Sequence, residues 1–80
     1  MQYINQDLCM GANLKKIRKK RKLTQPETVA KMQLLGSAMS RSTYSNIEAG
    51  IRNIKVSALI ILKAVFNVDY TEIFNGLMEI

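Results

Sequence analysis

With 80 residues, 48% of them apolar and 6% aromatic, the chain is long enough for one small domain, too short for a second and too apolar for a disordered segment. It has no histidine, one cysteine and six scattered acids, so no catalytic, cofactor-holding or metal-binding centre can be assembled, which excludes the common enzyme classes. Residues 1–55 hold 11 Lys and Arg against 3 Asp and Glu, a charge of +8, whereas residues 56–80 hold 1 against 3 and carry −2, so the amino-terminal part is the side that would meet a polyanion.

Residues 1–10 read as a loosely held arm in which Asn5 or Asp7 is placed to cap an early turn. The arm lacks the basic start and apolar middle of a secretory signal. Its single Cys9 has no partner for an intrachain disulfide, and both features suit a reducing cytoplasm. A first helix is expected from Asn13 to Arg21, with Leu14 and Ile17 inward and Lys15, Lys16, Lys19, Lys20 and Arg21 mostly outward. Thr24-Gln25-Pro26-Glu27 has capping-box spacing and tolerates Pro26 in a first turn. A second helix therefore begins near Gln25 and runs through Val29, Ala30 and Met32, as far as Leu35, until Gly36-Ser37 breaks it.

A third helix, about 41–49, is capped by Ser40 or Ser42 and stopped by Gly50, which takes a left-handed backbone cheaply. Helical spacing places Tyr44, Ile47 and Glu48 on one side, with Arg41, Ser42, Ser45, Asn46 and Ala49 on the other. Ile51 to Lys55 forms a loop with two cations. Val56 to Phe66, apolar on nearly every side, reads as a central buried helix too short to cross a bilayer. Asn67 ends it. Asp69-Tyr70-Thr71-Glu72 repeats the capping-box spacing and opens a short helix with Ile73 and Phe74, terminated by Gly76. For Leu77, Met78 and Ile80 a frayed tail and a dimer contact both remain open.

Leu23-Thr24-Gln25, then Met39-Ser40-Arg41-Ser42-Thr43-Tyr44-Ser45-Asn46-Ile47-Glu48-Ala49-Gly50, then Arg52-Asn53, resemble the Cro and phage-repressor (XRE-like) family of helix-turn-helix regulators. The resemblance implies an all-α, compact five-helix lambda-repressor-like domain over 1–80. It also implies a bacterial or phage-encoded transcription regulator that binds a double-stranded DNA operator as a homodimer, with its third helix in the major groove. Carried onto this chain, it makes Ser40, Arg41, Ser42 and Asn46 groove-facing, Thr43 and Ser45 secondary, and Gln25 close to a phosphate. Arg18 and Glu48 match a structural salt bridge between helices one and three that fixes the tilt of the reading helix.

The chain departs from that pattern at four places. Gln33-Leu34-Leu35-Gly36-Ser37-Ala38 lengthens the turn between helices two and three, so Leu34 or Leu35 is expected to extend helix two or plug the core. Lys22 stands where a left-handed glycine is common, Thr28 where a leucine is, and Ile54-Lys55 where a proline and a capping hydroxyl are.

On these positions Arg41 offers the planar fork that pairs with guanine and Asn46 the amide that pairs with adenine, each worth ~1–3 kcal/mol of discrimination. Ser42 and Ser45 lie beside them on the base-reading side. Gln25, Lys31, Ser40, Thr43, Arg52, Asn53 and Lys55 are the phosphate-contacting candidates, which fix register without reading sequence. Two other classes stay open: a protein-interaction module of the same fold (an antitoxin or regulator subunit with weak DNA binding), and a sequence-blind DNA coat.

Overall fold

Signals three or four residues apart set most of the helix boundaries. In the computed structural model, which describes the backbone of residues 3–4 and residues 10–75, the elements are β1 (Tyr3–Ile4), α1 (Met10–Lys20), α2 (Gln25–Leu34), α3 (Arg41–Glu48), β2 (Ile54–Lys55), α4 (Val56–Phe66) and α5 (Tyr70–Ile73). Asn5, Asp7, Cys9, Gly76 and the tail from Leu77 to Ile80 lie outside the described residues. The Thr24–Glu27 capping box is formed: the Thr24 hydroxyl accepts from the Glu27 amide at 3.2 Å, and the Glu27 carboxylate accepts from the Thr24 amide at 2.8 Å. Ser40 caps α3 by accepting from the Thr43 amide at 3.2 Å.

Helix ends fall within a residue of the sequence expectation, and two helix starts differ from it in substance. α1 starts at Met10 rather than Asn13, because Met10 continues the inward stripe of Leu14 and Ile17 and is only 1% exposed. At α5, Asp69 occupies the cap position without a side-chain bond. The Glu72 amide that its carboxylate would take points instead to the Asp69 backbone carbonyl, at 3.1 Å.

All four longer helices end in the same way. The residue after the last turn has a positive φ: Lys22 at 58°, Gly36 at 95°, Gly50 at 78° and Asn67 at 52°. At each, the next amide reaches back five residues and the left-handed residue's own amide reaches back three. After α3, for example, Ile51 donates to Asn46 O at 2.9 Å and Gly50 to Ile47 O at 3.1 Å. This paired closure satisfies carbonyls that a helix end otherwise leaves bare. Lys22 adopts the conformation despite its Cβ, at a cost of ~1–2 kcal/mol.

The helices enclose one core that runs from Met10 and Leu14 through Met32, Tyr44 and Ile47 to Leu62, Phe66 and Ile73. α4 buries Ala58, Leu59, Leu62 and Phe66 but leaves Ile60 53% exposed, so it is covered on one side only, unlike the wholly buried helix expected from its composition. A domain this small has no further layer to cover the other side. The arm contributes a two-residue antiparallel rung, Tyr3 opposite Lys55 and Ile4 opposite Ile54, a small addition to an all-α architecture. Among the described residues no helix is long and apolar enough to cross a membrane.

Candidate nucleic-acid interface

α3 is amphipathic in the phase its spacing dictates. Tyr44, Ile47 and Glu48 are buried, whereas Arg41, Ser42, Ser45 and Ala49 are exposed and Asn46 and Thr43 are half-buried at the flanks. With ~1.5 Å of rise per residue, α3 is about as long as the major groove of B-DNA is wide, ~12 Å. The Ser40 hydroxyl, besides capping the helix, donates to Thr43 Oγ1 at 2.9 Å, so both hydroxyls face the helix start.

Close packing and one polar cluster hold α3 in place. Gly11 of α1 lies against the Ile47 and Glu48 carbonyls, and a Cβ there would stand 2.6 Å from Glu48 O, so the two helices approach closely only because residue 11 is glycine. Beneath α3, Arg18 Nε donates to Glu48 Oε2 at 2.7 Å and Nη2 to Oε1 at 3.1 Å, while Nη1 donates to the Leu23 carbonyl at 2.8 Å. Gln25 Nε2 donates to the same Glu48 Oε1 at 3.0 Å. One carboxylate thus ties α1, α2 and α3 together.

Burial works to raise the pKa of the Glu48 carboxyl, but the hydrogen bonds from Arg18 and Gln25, the adjoining Tyr44 phenol and the Arg18 charge outweigh it and leave it lowered. The Arg18 guanidinium is raised by its hydrogen bond to Glu48, against the opposing effect of burial. The Tyr44 phenol is pushed up, first by burial and then by the adjoining Glu48 carboxylate. Tyr44 Oη is fully buried and makes no hydrogen bond of good geometry among the described residues.

The lengthened connection is ordered by its own contacts. α2 runs on through Leu34, and Leu34 and Leu35 are 86% and 54% exposed, so they extend the helix and do not plug the core. Met39 is the residue that turns inward. Gln33 Nε2 donates to the Met39 carbonyl at 2.8 Å, and the Met39 amide donates to Ser37 Oγ at 3.1 Å, which pins the turn at both ends before α3 begins.

A family model described as Helix-turn-helix matches residues 14–73, a span that runs from within α1 to the end of α5 and includes Arg18, Gln25 and all of α3. The chain belongs to the Cro and phage-repressor type of helix-turn-helix family. No match to it was found among curated proteins or solved structures. The helix-turn-helix domain is thus a DNA-binding regulator in general kind, and its cations are disposed accordingly. Lys31 on α2, Arg41 on α3, Arg52 in the following loop and Lys55 on β2 are all exposed, as is the uncharged Asn53 beside them.

Several residues that position the interface were missed by sequence reasoning. Arg21 is exposed, as expected, but it also donates from Nε to the Phe66 carbonyl at 2.7 Å and from Nη2 to the Asn67 carbonyl at 3.3 Å, closing the carboxyl end of α4. Asn13 does the same for α5, bonding the Ile73 and Asn75 carbonyls at 2.9 Å each. Gly11 carried no local signal. Within a run of lysines and arginines nothing marks Arg21 as the one that caps a distant helix.

Proposed function

We propose that the domain is a sequence-specific transcriptional regulator that lays α3 in the major groove of double-stranded operator DNA. Arg41 pairs with a guanine and Asn46 with an adenine, with Ser42 and Ser45 lining the same contact. Gln25, Lys31, Ser40, Thr43, Arg52, Asn53 and Lys55 hold the flanking phosphates. The observation that carries this reading is the division of α3 into a buried side of Tyr44, Ile47 and Glu48 and an outward side headed by Arg41. Gln25 spends one amide proton on Glu48, so a phosphate held by Gln25 is coupled to the tilt of the reading helix.

The protein acts as a homodimer in the cytoplasm, on half-sites whose centres lie ~10–10.5 base pairs apart. With ~4–6 phosphates neutralised per subunit, log affinity falls with log salt at about −0.9 per contact. Selection of duplexes from a random pool at two salt concentrations tests both parts. A recovered near-palindrome with a steep salt slope is expected. A pool that stays random refutes sequence reading and leaves a sequence-blind coat.

The exposed Leu34, Leu35 and Ile60 favour a second reading, a protein-interaction module of the same fold with weak DNA binding. Unchanged DNA affinity in an Arg41→Ala/Asn46→Ala double variant would favour it.

A further inference from the structure

Beside the outward line of α3 the fold opens a cleft of about 350 Å³, walled on one side by the lengthened connection from Gly36 to Ser40 and on the other by the loop after α3 and the first turns of α4. α3 contributes Thr43 and Ile47 to it but not Arg41, Ser42, Ser45 or Asn46, so the cleft is distinct from the base-reading line. Its inner surface is apolar, formed by the buried Met39, Ile47 and Ala58 with the half-buried Ile61. Its outer edge is basic and hydroxylic, with Arg52, Lys55 and Ser57 on one wall and Ser37 on the other, and no acid is among the described lining residues.

The size lies within the ~300–1,000 Å³ of small-molecule sites, and an apolar interior with a few polar groups at the edge is their usual make-up. A phosphate alone would satisfy the edge and leave the hydrocarbon floor wet. A purely apolar guest would bring no polar group to the basic and hydroxylic edge. The chemistry that answers both surfaces is a small anion on a short hydrocarbon body.

We infer that this cleft binds a small organic anion, an alkyl carboxylate or alkyl phosphate, and that its occupation weakens DNA binding by engaging Arg52 and Lys55. The binding half stands alone; the regulatory half rests on the DNA reading above. Because coupling between two ligands is reciprocal, DNA lowers the affinity for the anion by the same factor.

The test is a titration of the isotope-labelled chain with hexanoate, hexyl phosphate, hexylammonium and inorganic phosphate at matched ionic strength, followed by amide shifts. Saturable shifts at Ser37, Thr43, Ser57 and Ile61 with both alkyl anions are expected, and much weaker ones with the other two probes. Equal response to hexylammonium, equal response to inorganic phosphate, or no saturation with the alkyl anions overturns the site. Ser57→Tyr, an exposed position at the edge, and Ile61→Glu, which sets a carboxylate on the floor, should each weaken alkyl-anion binding at least about tenfold, ~1.4 kcal/mol. Retained affinity in both folded variants also overturns it.

On a selected duplex, hexanoate should raise the DNA Kd about fivefold or more relative to sodium chloride at equal ionic strength. An unchanged Kd overturns the regulatory half while the DNA reading stands. A pool that yields no duplex sinks that reading and leaves the titration to judge the cleft.

Discussion

Replacing Glu48 with Gln removes the charge that three donor groups converge on: Arg18 Nε at 2.7 Å, Arg18 Nη2 at 3.1 Å and Gln25 Nε2 at 3.0 Å. It leaves a guanidinium whose side chain is 9% exposed facing an amide that offers one acceptor and two further protons. Breaking a buried pair from one side costs ~3–5 kcal/mol, because the remaining charge is stranded. The Leu23 carbonyl still accepts from Arg18 Nη1, which favours the lower end, about 3 kcal/mol.

A domain of this size has ~4–12 kcal/mol of stability in all, so the loss is a large fraction, and Tm should fall by roughly 12–24 °C. Urea unfolding followed by far-ultraviolet circular dichroism measures it directly, with an unchanged m-value as the sign that the native fold persists. The double variant Arg18→Met/Glu48→Leu strands no charge and should be more stable than either single variant. A loss below about 1 kcal/mol for Glu48→Gln, or strictly additive effects in the cycle, would refute the account of a pair that matters because it is buried.

The same pair gives the stability a pH signature. Glu48 is held below its ordinary value, so its contribution is complete above the unfolded carboxylate pKa of ~4.3 and is lost as the pH falls through the lower folded value. Acid titration of the wild type against the double variant should show a shallower slope in the latter. Lys22→Gly should stabilise by about 0.5–1 kcal/mol, since it removes left-handed strain of ~1–2 kcal/mol at the cost of some unfolded-state entropy. Gly50→Ala, where an added Cβ meets nothing within 4 Å, should destabilise by ~1–2 kcal/mol through backbone strain alone, readable from thermal melts. Gly11→Ala should cost more, ~2–3 kcal/mol, and also weaken DNA binding, because it pushes α1 off α3. Tyr44→Phe removes a buried hydroxyl without a well-formed bond and should be neutral or stabilising by up to about 1 kcal/mol in urea titrations. Arg52→Ala should lower affinity for all duplexes alike and reduce the salt slope by about 0.9, whereas Arg41→Ala should relax selection at one base position.

What could be read from the sequence was what depends on neighbours three or four residues apart. The Thr24–Glu27 box, the Ser40 cap, the Gly50 stop and the phase of Tyr44, Ile47 and Glu48 are all set within one helical turn, and the fold shows each of them. Lys22 was identifiable only through the resemblance, since it stands where the family commonly has a left-handed glycine. Contacts between distant parts of the chain were not legible. Asn13 reaches a carbonyl 60 positions away and Arg21 one 45 positions away, and no spacing rule connects them. Gly11 matters only because the carbonyls of Ile47 and Glu48 arrive beside it. Asp69 shows the limit of a local rule, since correct spacing produced no side-chain cap where a backbone carbonyl took the donor first. At the interface, exposure followed from helical phase, but the cleft behind Thr43 depends on where α4 and the lengthened turn pack.

Fastening that turn at both ends, by Gln33 to the Met39 carbonyl and by the Met39 amide to Ser37, also has a practical use. Ala38 is exposed on a short span anchored on either side, so a dye attached there through Ala38→Cys, with Cys9 changed to Ser, would ride rigidly at the start of α3. Its emission would report filling of the cleft that Ala38 helps to wall, and arrival of a duplex at the neighbouring start of α3.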